Sequence, residues 1–410
     1  MRTLQRSCRL EYVYNGCKAA RLLRGKLLIA HPVVDESSTV RQKTIEYNSV
    51  SHKSNRLVSR YLEAKLTKHG FVVEKLQYKD KQDVEKVCVV AKKGVGTGGL
   101  AYFGHSDVVP AKTWFSKKFG PFEPKVGRGR LYGRGSCDMK GSIAAMLAAA
   151  QQFSWDELKQ PFYFVVTADE ETGFDGAKFV VDESKQYREM VAGQTKAIIG
   201  EPTMLDVVHA HKGAYKIVAK SFGEAAHSGT AEGKNANLAM IPFLAEMKAI
   251  IDETENDSKW KNELFDPPTM SWNISFRDNA RAMNVKASKS TCVIYLRTMP
   301  EVDVEPLLER ARNCAESHEV AIKIYNYGEP FYASANSKFV EASLKLANRK
   351  TAKTVSYGTD GGFFTELEDK IVFGPGSIQQ AHTHNEWKSL EQLKLGTELY
   401  RKMIQHWCCS

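Results

Sequence analysis

GHSDVVP, Gly104–Pro110, follows directly on the apolar run Leu100–Phe103, and that junction decides the fold. The same event recurs downstream: Phe162–Thr167 runs into TADEETG, with Glu170 and Glu171, and Ala197–Ile199 runs into GEPT, with Glu201. Short apolar runs separated by helical segments, such as the one from about Lys140 to Phe153, predict a parallel sheet covered by helices on both faces. In open α/β sheets, binding sites form beyond the carboxyl ends of the strands, so residues distant in sequence converge there. His105, Glu170, Glu171 and Glu201 all hold such positions.

Upstream, Leu57, Val58, Tyr61, Leu62 and Leu66 recur at helical spacing, Gly70 stops that helix, and Phe71–Leu76 and Val84–Ala91 read as extended chain. Downstream, Ala214–Phe222 reads as strand, Asn235–Ile251 as helix, Thr269–Phe276 and Ser290–Arg297 as strands, Val304–Ser317 as helix and Val320–Tyr327 as strand. That order, β-α-β-β-α-β, is the ferredoxin-like split unit. A helix at Lys338–Asn348, a Gly-rich turn at Gly358–Gly362 and His382 follow it, so the small domain is an insertion. The expected fold class is α/β. A large domain with a mostly parallel sheet between helices, residues 44–210 and 329–410, carries an inserted ferredoxin-like domain, 211–328.

The chain has 410 residues and a net charge of +10, of which +6 lies in residues 1–30. The rest mixes both signs, which argues against a nucleic-acid-binding face. No apolar run approaches the roughly 20 residues that cross a bilayer, so no membrane partner is expected. The eight cysteines show no zinc-ribbon or redox spacing and read as reduced thiols of a cytoplasmic protein. Residues 1–43 are expected to stand outside the fold. They are Arg-rich like a transit peptide but lack an amphipathic stripe; the simpler reading places the functional start between Val33 and Lys43.

His105, Asp138, Glu171, Glu201 and His382 each sit where an apolar run gives way to a loop or helix, the pattern of a folded metal site and of a two-metal hydrolase. Taken singly each has a plain alternative: a lone His-x-Asp is common, adjacent glutamates are usually a solvated pair, and Arg297 suits any strand end. Joint order and spacing decide for the metal set. His209, two residues from His211, is assigned to packing or surface, since alternate strand residues share a face whatever they do. Cys137 has no partner base, which argues against a cysteine nucleophile.

GHSDVVP, Trp114, Pro121-Phe122, LYGRGSCDMKG (Leu131–Gly141), TADEETG, IGEPT, HKG, AAHSG (Ala225–Gly229) and GPGSIQQAH (Gly374–His382) together resemble the acetylornithine deacetylase and succinyl-diaminopimelate desuccinylase group of the di-zinc aminoacylase and carboxypeptidase metallopeptidase family. The likeness runs from about Ile45 to His406, and GEPT, AHKG and GPGSIQQAH lean toward the acetylornithine deacetylase branch. Gly120 departs from the family, which often has an acid there. The resemblance implies two zinc ions per subunit, with cobalt able to substitute, bridged by Asp138. His105 and Glu201 would complete one site, Glu171 and His382 the other. His384 is the rival to His382, but the Asn385-Glu386 that follows favours His382.

The resemblance further implies that Asp107 orients His105, that Glu170 takes a proton from the attacking water and returns it to the leaving amine, and that His227 stabilises the oxyanion from the partner subunit of a homodimer. Asn284, Arg297, Gly358 and Thr359 would contact substrate. It also implies a cis peptide between Asp138 and Met139. The expected reaction is hydrolysis of N-acetylornithine to ornithine and acetate. Succinyl-diaminopimelate, other N-acyl amino acids and dipeptides are alternative substrates. A non-catalytic dimeric binding module is the other function class, but a degenerate copy would have lost Glu170 or a ligand, and none is lost.

Overall fold

The computed structural model describes residues 42–410; residues 1–41, nearly all of the expected extension, lie outside the described residues. In chain order the main elements are α1 (Arg56–Lys68), β1 (Val72–Lys79), β2 (Glu85–Lys93), β3 (Leu100–His105), α2 (Lys140–Ala150), β4 (Phe162–Thr167), α3 (Asp175–Glu183), α4 (Lys185–Ala192), β5 (Lys196–Ile199) and β6 (Val208–His211). Then come β7 (Tyr215–Phe222), α5 (Ala236–Asn256), β8 (Ser271–Asp278), β9 (Lys289–Arg297), α6 (Glu305–Ser317), β10 (Ala321–Asn326), β11 (Phe331–Tyr332), α7 (Lys338–Ala347), β12 (Lys353–Val355), β13 (Lys370–Val372) and α8 (Leu390–Cys408).

The large sheet runs β1-β2-β4-β3-β5-β13-β6-β11, with β12 beside β6. Its centre, β4-β3-β5-β13, is parallel, and β1 and β2 add an antiparallel flank. Every residue of β3 and β4 is buried, as expected for strands covered on both faces. Helix α2 is buried along its whole length because its sequence, KGSIAAMLAAA, is small and apolar all round and lies against α8. Lys140 alone brings a charge into that helix, and its Nζ donates to the Tyr47 carbonyl at 2.8 Å.

The second sheet runs β8-β9-β7-β10, all antiparallel. Strict alternation sends Ile217, Ala219, Cys292, Ile294 and Leu296 toward Met240, Phe243 and Met247 of α5 and Leu307, Leu308 and Ala311 of α6. Tyr295 and Arg297 therefore point the other way. Between the sheets the chain crosses twice, at 212–214 and 327–330, and the crossings bond to each other through Ala214 N–H to Gly328 O, 2.9 Å, and Tyr327 N–H to Ala214 O, 2.8 Å. Gly213 is required there, since a Cβ would fall 2.5 Å from Pro330 N and 2.7 Å from Gly328 O.

Candidate active site

His105 closes β3, Glu171 lies in the turn after β4, Glu201 follows β5, Asp138 leads into α2 and His382 follows the single turn Ile378–Gln380. His105 Nε2 stands 3.1 Å from Asp138 Oδ1 and 3.5 Å from Glu201 Oε1. His382 Nε2 stands 3.2 Å from Asp138 Oδ2 and 2.9 Å from Glu171 Oε2. Two sets of three donors thus share one carboxylate, each set contracted to within 4.8 Å. Donors at the ~2.0–2.2 Å bond lengths of a tetrahedral divalent site lie about 3.3 Å apart, so both sets fit a cation. Glu171 Oε1 is buried without a hydrogen-bond partner among the described residues, which suits a metal ligand. Charge tells the same story. His382 is raised to about 10 by the Asp138 and Glu171 carboxylates. Burial opposes protonation of His105, yet Asp107 and Asp138 outweigh it and raise it well above its ordinary value.

Two buried carboxylates hold this centre in place. Asp107 accepts the backbone N–H groups of Glu170 at 3.2 Å and Glu171 at 3.3 Å, and its Oδ1 lies 3.5 Å from His105 Nδ1. It therefore orders the glutamate turn as well as the imidazole. Glu386 does the same for the shared ligand. Its Oε1 accepts from Cys137 N at 2.7 Å and Asp138 N at 3.0 Å, while Oε2 accepts from Gly135 N at 3.0 Å and Arg134 Nη1 at 2.6 Å. The Asp138–Met139 peptide is cis. Sequence reasoning used Glu386 only to choose between histidines, because nothing local announces an anchor that acts across some 250 residues.

Glu170 lines the cleft beside the donors, and its carboxylate makes no hydrogen bond or ion pair among the described residues. Removal from water raises its pKa well above the usual carboxylate value; nearby His105 opposes this, and the charges of Glu201, Glu171 and Asp360 add to it. The cleft, about 340 Å³, is walled by Phe174, Tyr295, Tyr327, Tyr357, Ile378 and Gly358. Arg297 enters it from β9 with its guanidinium 5.0 Å from the Tyr295 ring and no acidic partner among the described residues. The three tyrosines were not picked out from sequence, having no motif around them.

Other expected positions lie elsewhere. Thr359 turns its hydroxyl inward to His211 Nε2, 3.0 Å away, and leaves Gly358 to line the cleft. His227 and Asn284 are exposed and sit together, with His227 bridged to Val285 and Ser228 N–H donating to Asn284 O at 2.8 Å. That corner lies past the Lys289 end of β9, and at ~3.3 Å per residue the strand puts it roughly 26 Å or more from Arg297. Within one chain the two residues do not reach the cleft. His227 Nδ1 accepts from Gly229 N at 3.1 Å, which leaves the proton on Nε2.

His209 is buried, Nδ1 2.7 Å from Ala333 O. His384 stacks edge-on against Phe115 and belongs to neither donor set. Burial pushes the Cys137 thiol up to about 12, unfit for a nucleophile.

Comparison with known proteins places this geometry. The chain is 31% identical over 376 residues to the acetylornithine deacetylase of Myxococcus xanthus, covering 89% of this chain and 95% of that one. It is 30% identical over 365 residues to the acetylornithine deacetylase of Pasteurella multocida, covering 87% and 92%. Its fold matches an M20 family metallo-carboxypeptidase from Sulfolobus solfataricus with a TM-score of 0.73 at 16% identity, over 90% of this chain and 98% of the other. A dinuclear metal binding peptidase of the M20 family from Bacillus subtilis matches with a TM-score of 0.61 at 14% identity, over 90% and 97%. The family profile itself matches residues 101–406. This chain therefore belongs to the peptidase family M20/M25/M40 and is a metal-dependent hydrolase of amide bonds.

Proposed function

We propose that the protein removes the N-acyl group of an amino acid, converting N-acetylornithine to ornithine and acetate with two zinc ions per subunit, for which cobalt can substitute. One observation carries the reading: two donor sets share the Asp138 carboxylate, and an unbonded carboxylate, Glu170, stands beside them. The relatives' names supply the substrate. Held by His105, Asp138 and Glu201 and by Asp138, Glu171 and His382, the cations would supply the Lewis acidity that acidifies water and polarises the scissile carbonyl. Glu170 takes the proton of the attacking water and delivers it to the departing amine. Arg297, without an acidic partner among the described residues, offers a planar fork to the substrate carboxylate.

The oxyanion donor is His227 of a second copy, its Nε2–H free to donate. Strand β8 is an edge of the small sheet, and Phe276, Met283 and Val285 are exposed near it, so the pairing of two copies runs through that edge. Six unpaired cysteines among the described residues suit a reducing cytoplasm. No helix of the described residues is long and apolar enough to cross a membrane.

The test is zinc-reconstituted hydrolysis of N-acetylornithine, succinyl-diaminopimelate, other N-acetyl amino acids and dipeptides. N-acetylornithine should show the highest kcat/KM. Cleavage of dipeptides alone would move the assignment to a peptidase, and no cleavage of any by fully loaded protein would sink it.

A further inference from the structure

Glu170 and Glu171 share one short turn, Glu170–Thr172, and that turn starts from Asp169, whose backbone is left-handed at φ 58°. Such a conformation persists in a non-glycine residue when its surroundings hold it. Here both oxygens of the buried Asp169 carboxylate are engaged: Lys86 Nζ bonds Oδ1, and Tyr78 OH donates to Oδ2 at 2.7 Å. Lys86, which points inward from β2 and is 1% exposed, also bonds the Ser51 carbonyl and lies 3.4 Å from Asp80 Oδ2. Ser51 Oγ in turn donates to Asp107 Oδ2 at 2.8 Å, and Asp107 accepts both glutamate N–H groups. The turn is thus gripped at its start by Asp169 and along its length by Asp107. Ser51 and Lys86 tie the two grips together.

We propose that Lys86 and Asp169 are positioning residues that hold Glu170 at its working distance from the metal-ligand set. Lys86 lines no part of the cleft, and neither residue belongs to a donor set. Their influence passes through the backbone of the turn. A hydrophobic filling would pack the same space without the cost of burying a lysine and two aspartates, so the network is explained by the geometry it imposes. The inference rests on Glu170 as proton carrier. Misplacing a reacting group by an ångström costs about 100-fold in rate.

The experiment is a double-mutant cycle in the full-length, zinc-loaded protein. Lys86→Met should lower kcat by about 100-fold, with KM and two-cation stoichiometry unchanged. In a Glu170→Ala background the same substitution should cost nothing further, because there is no longer a carboxylate to misplace. Equal losses in both backgrounds, or a lower Tm with kcat unchanged at a temperature where the variant is folded, would overturn the proposal. If Glu170→Ala itself leaves kcat intact, it is the proton-carrier assignment that fails. Should Lys86→Met not fold, Tyr78→Phe removes one hydroxyl and leaves the ion pair. It should lower kcat several-fold at constant KM and Tm, and an unchanged kcat would count against the proposal.

Discussion

The two groups of residues expected to form the site, its two halves, are built in opposite ways. On the large domain, His105, Asp138 and Glu201 are almost wholly buried, and Asp107, Glu386 and Asp169 fix the backbone that carries the ligands and Glu170. On the small domain, His227 and Asn284 stand in solvent on loops, held by a few backbone bonds. Packing of one chain completes the first half. The second has the right tautomer but no target within reach, so its chemistry depends on what approaches it. The first half carries its electrostatics in the core of one chain, while the proposed function draws its last hydrogen-bond donor from a second copy.

Glu170→Ala probes the large-domain half and has the largest expected effect: turnover falls by about a hundredfold or more while both cations are retained. Loss of metal would exchange the roles of Glu170 and Glu171. His382→Ala should lower the metal content to about one ion per chain, since it removes the imidazole of one donor set and leaves the other whole. Unchanged two-metal content would hand the role to His384.

The small-domain half is tested by mixing inactive Glu170→Ala chains with inactive His227→Ala chains. Random exchange restores an intact combination at about a quarter of all sites, and activity should recover toward that fraction. No recovery, with exchange shown by mass spectrometry, would mean that His227 does not serve a neighbour. The smallest effect is expected from removing residues 1–40, which lie outside the family resemblance and carry no clear apolar pattern: Tm and kcat/KM should stay as in the full chain. A large drop in either would attach that segment to the body.

The parallel centre of the sheet was legible because β3 and β4 are uninterrupted apolar runs that stop at a polar ligand, and both ended where expected. The small domain's six elements were also read to within a few residues, apart from α5, which continues to Asn256, because alternation in Ile217–Ser221 and Cys292–Leu296 marks its buried face. Most strands of two to four residues escaped, although β5 was read as Ala197–Ile199. β13, with only Lys-Ile-Val, is too short for periodicity to register, and β6 was met only through the AHKG motif and the His209–His211 spacing. Helix α8 was missed although its apolar stripe is ordinary. Lys86 was hidden for another reason: a lysine within a strand reads as a solvent-facing position, and its burial follows from Asp169 and Asp80, which are brought to it by the fold. The family resemblance implied that Asp107 orients His105, but its hold on Glu170 and Glu171 depends on β3 and β4 ending side by side.

The place of β13 in the large sheet matters before the protein is ever active. It fills the gap between β5 and β6, yet it is synthesised about 170 residues after β5, behind the whole inserted domain. At ribosomal rates of roughly 5–20 residues per second, the nascent chain carries an open sheet for on the order of 10–30 s. During that interval β5 presents an unpaired apolar edge, and α2 waits for α8 to cover it. The segment from Ala214 to Gly328, whose ends meet, holds all four strands of the second sheet and is complete in sequence before β13 is made. The large sheet is therefore the last part of the molecule to be sealed.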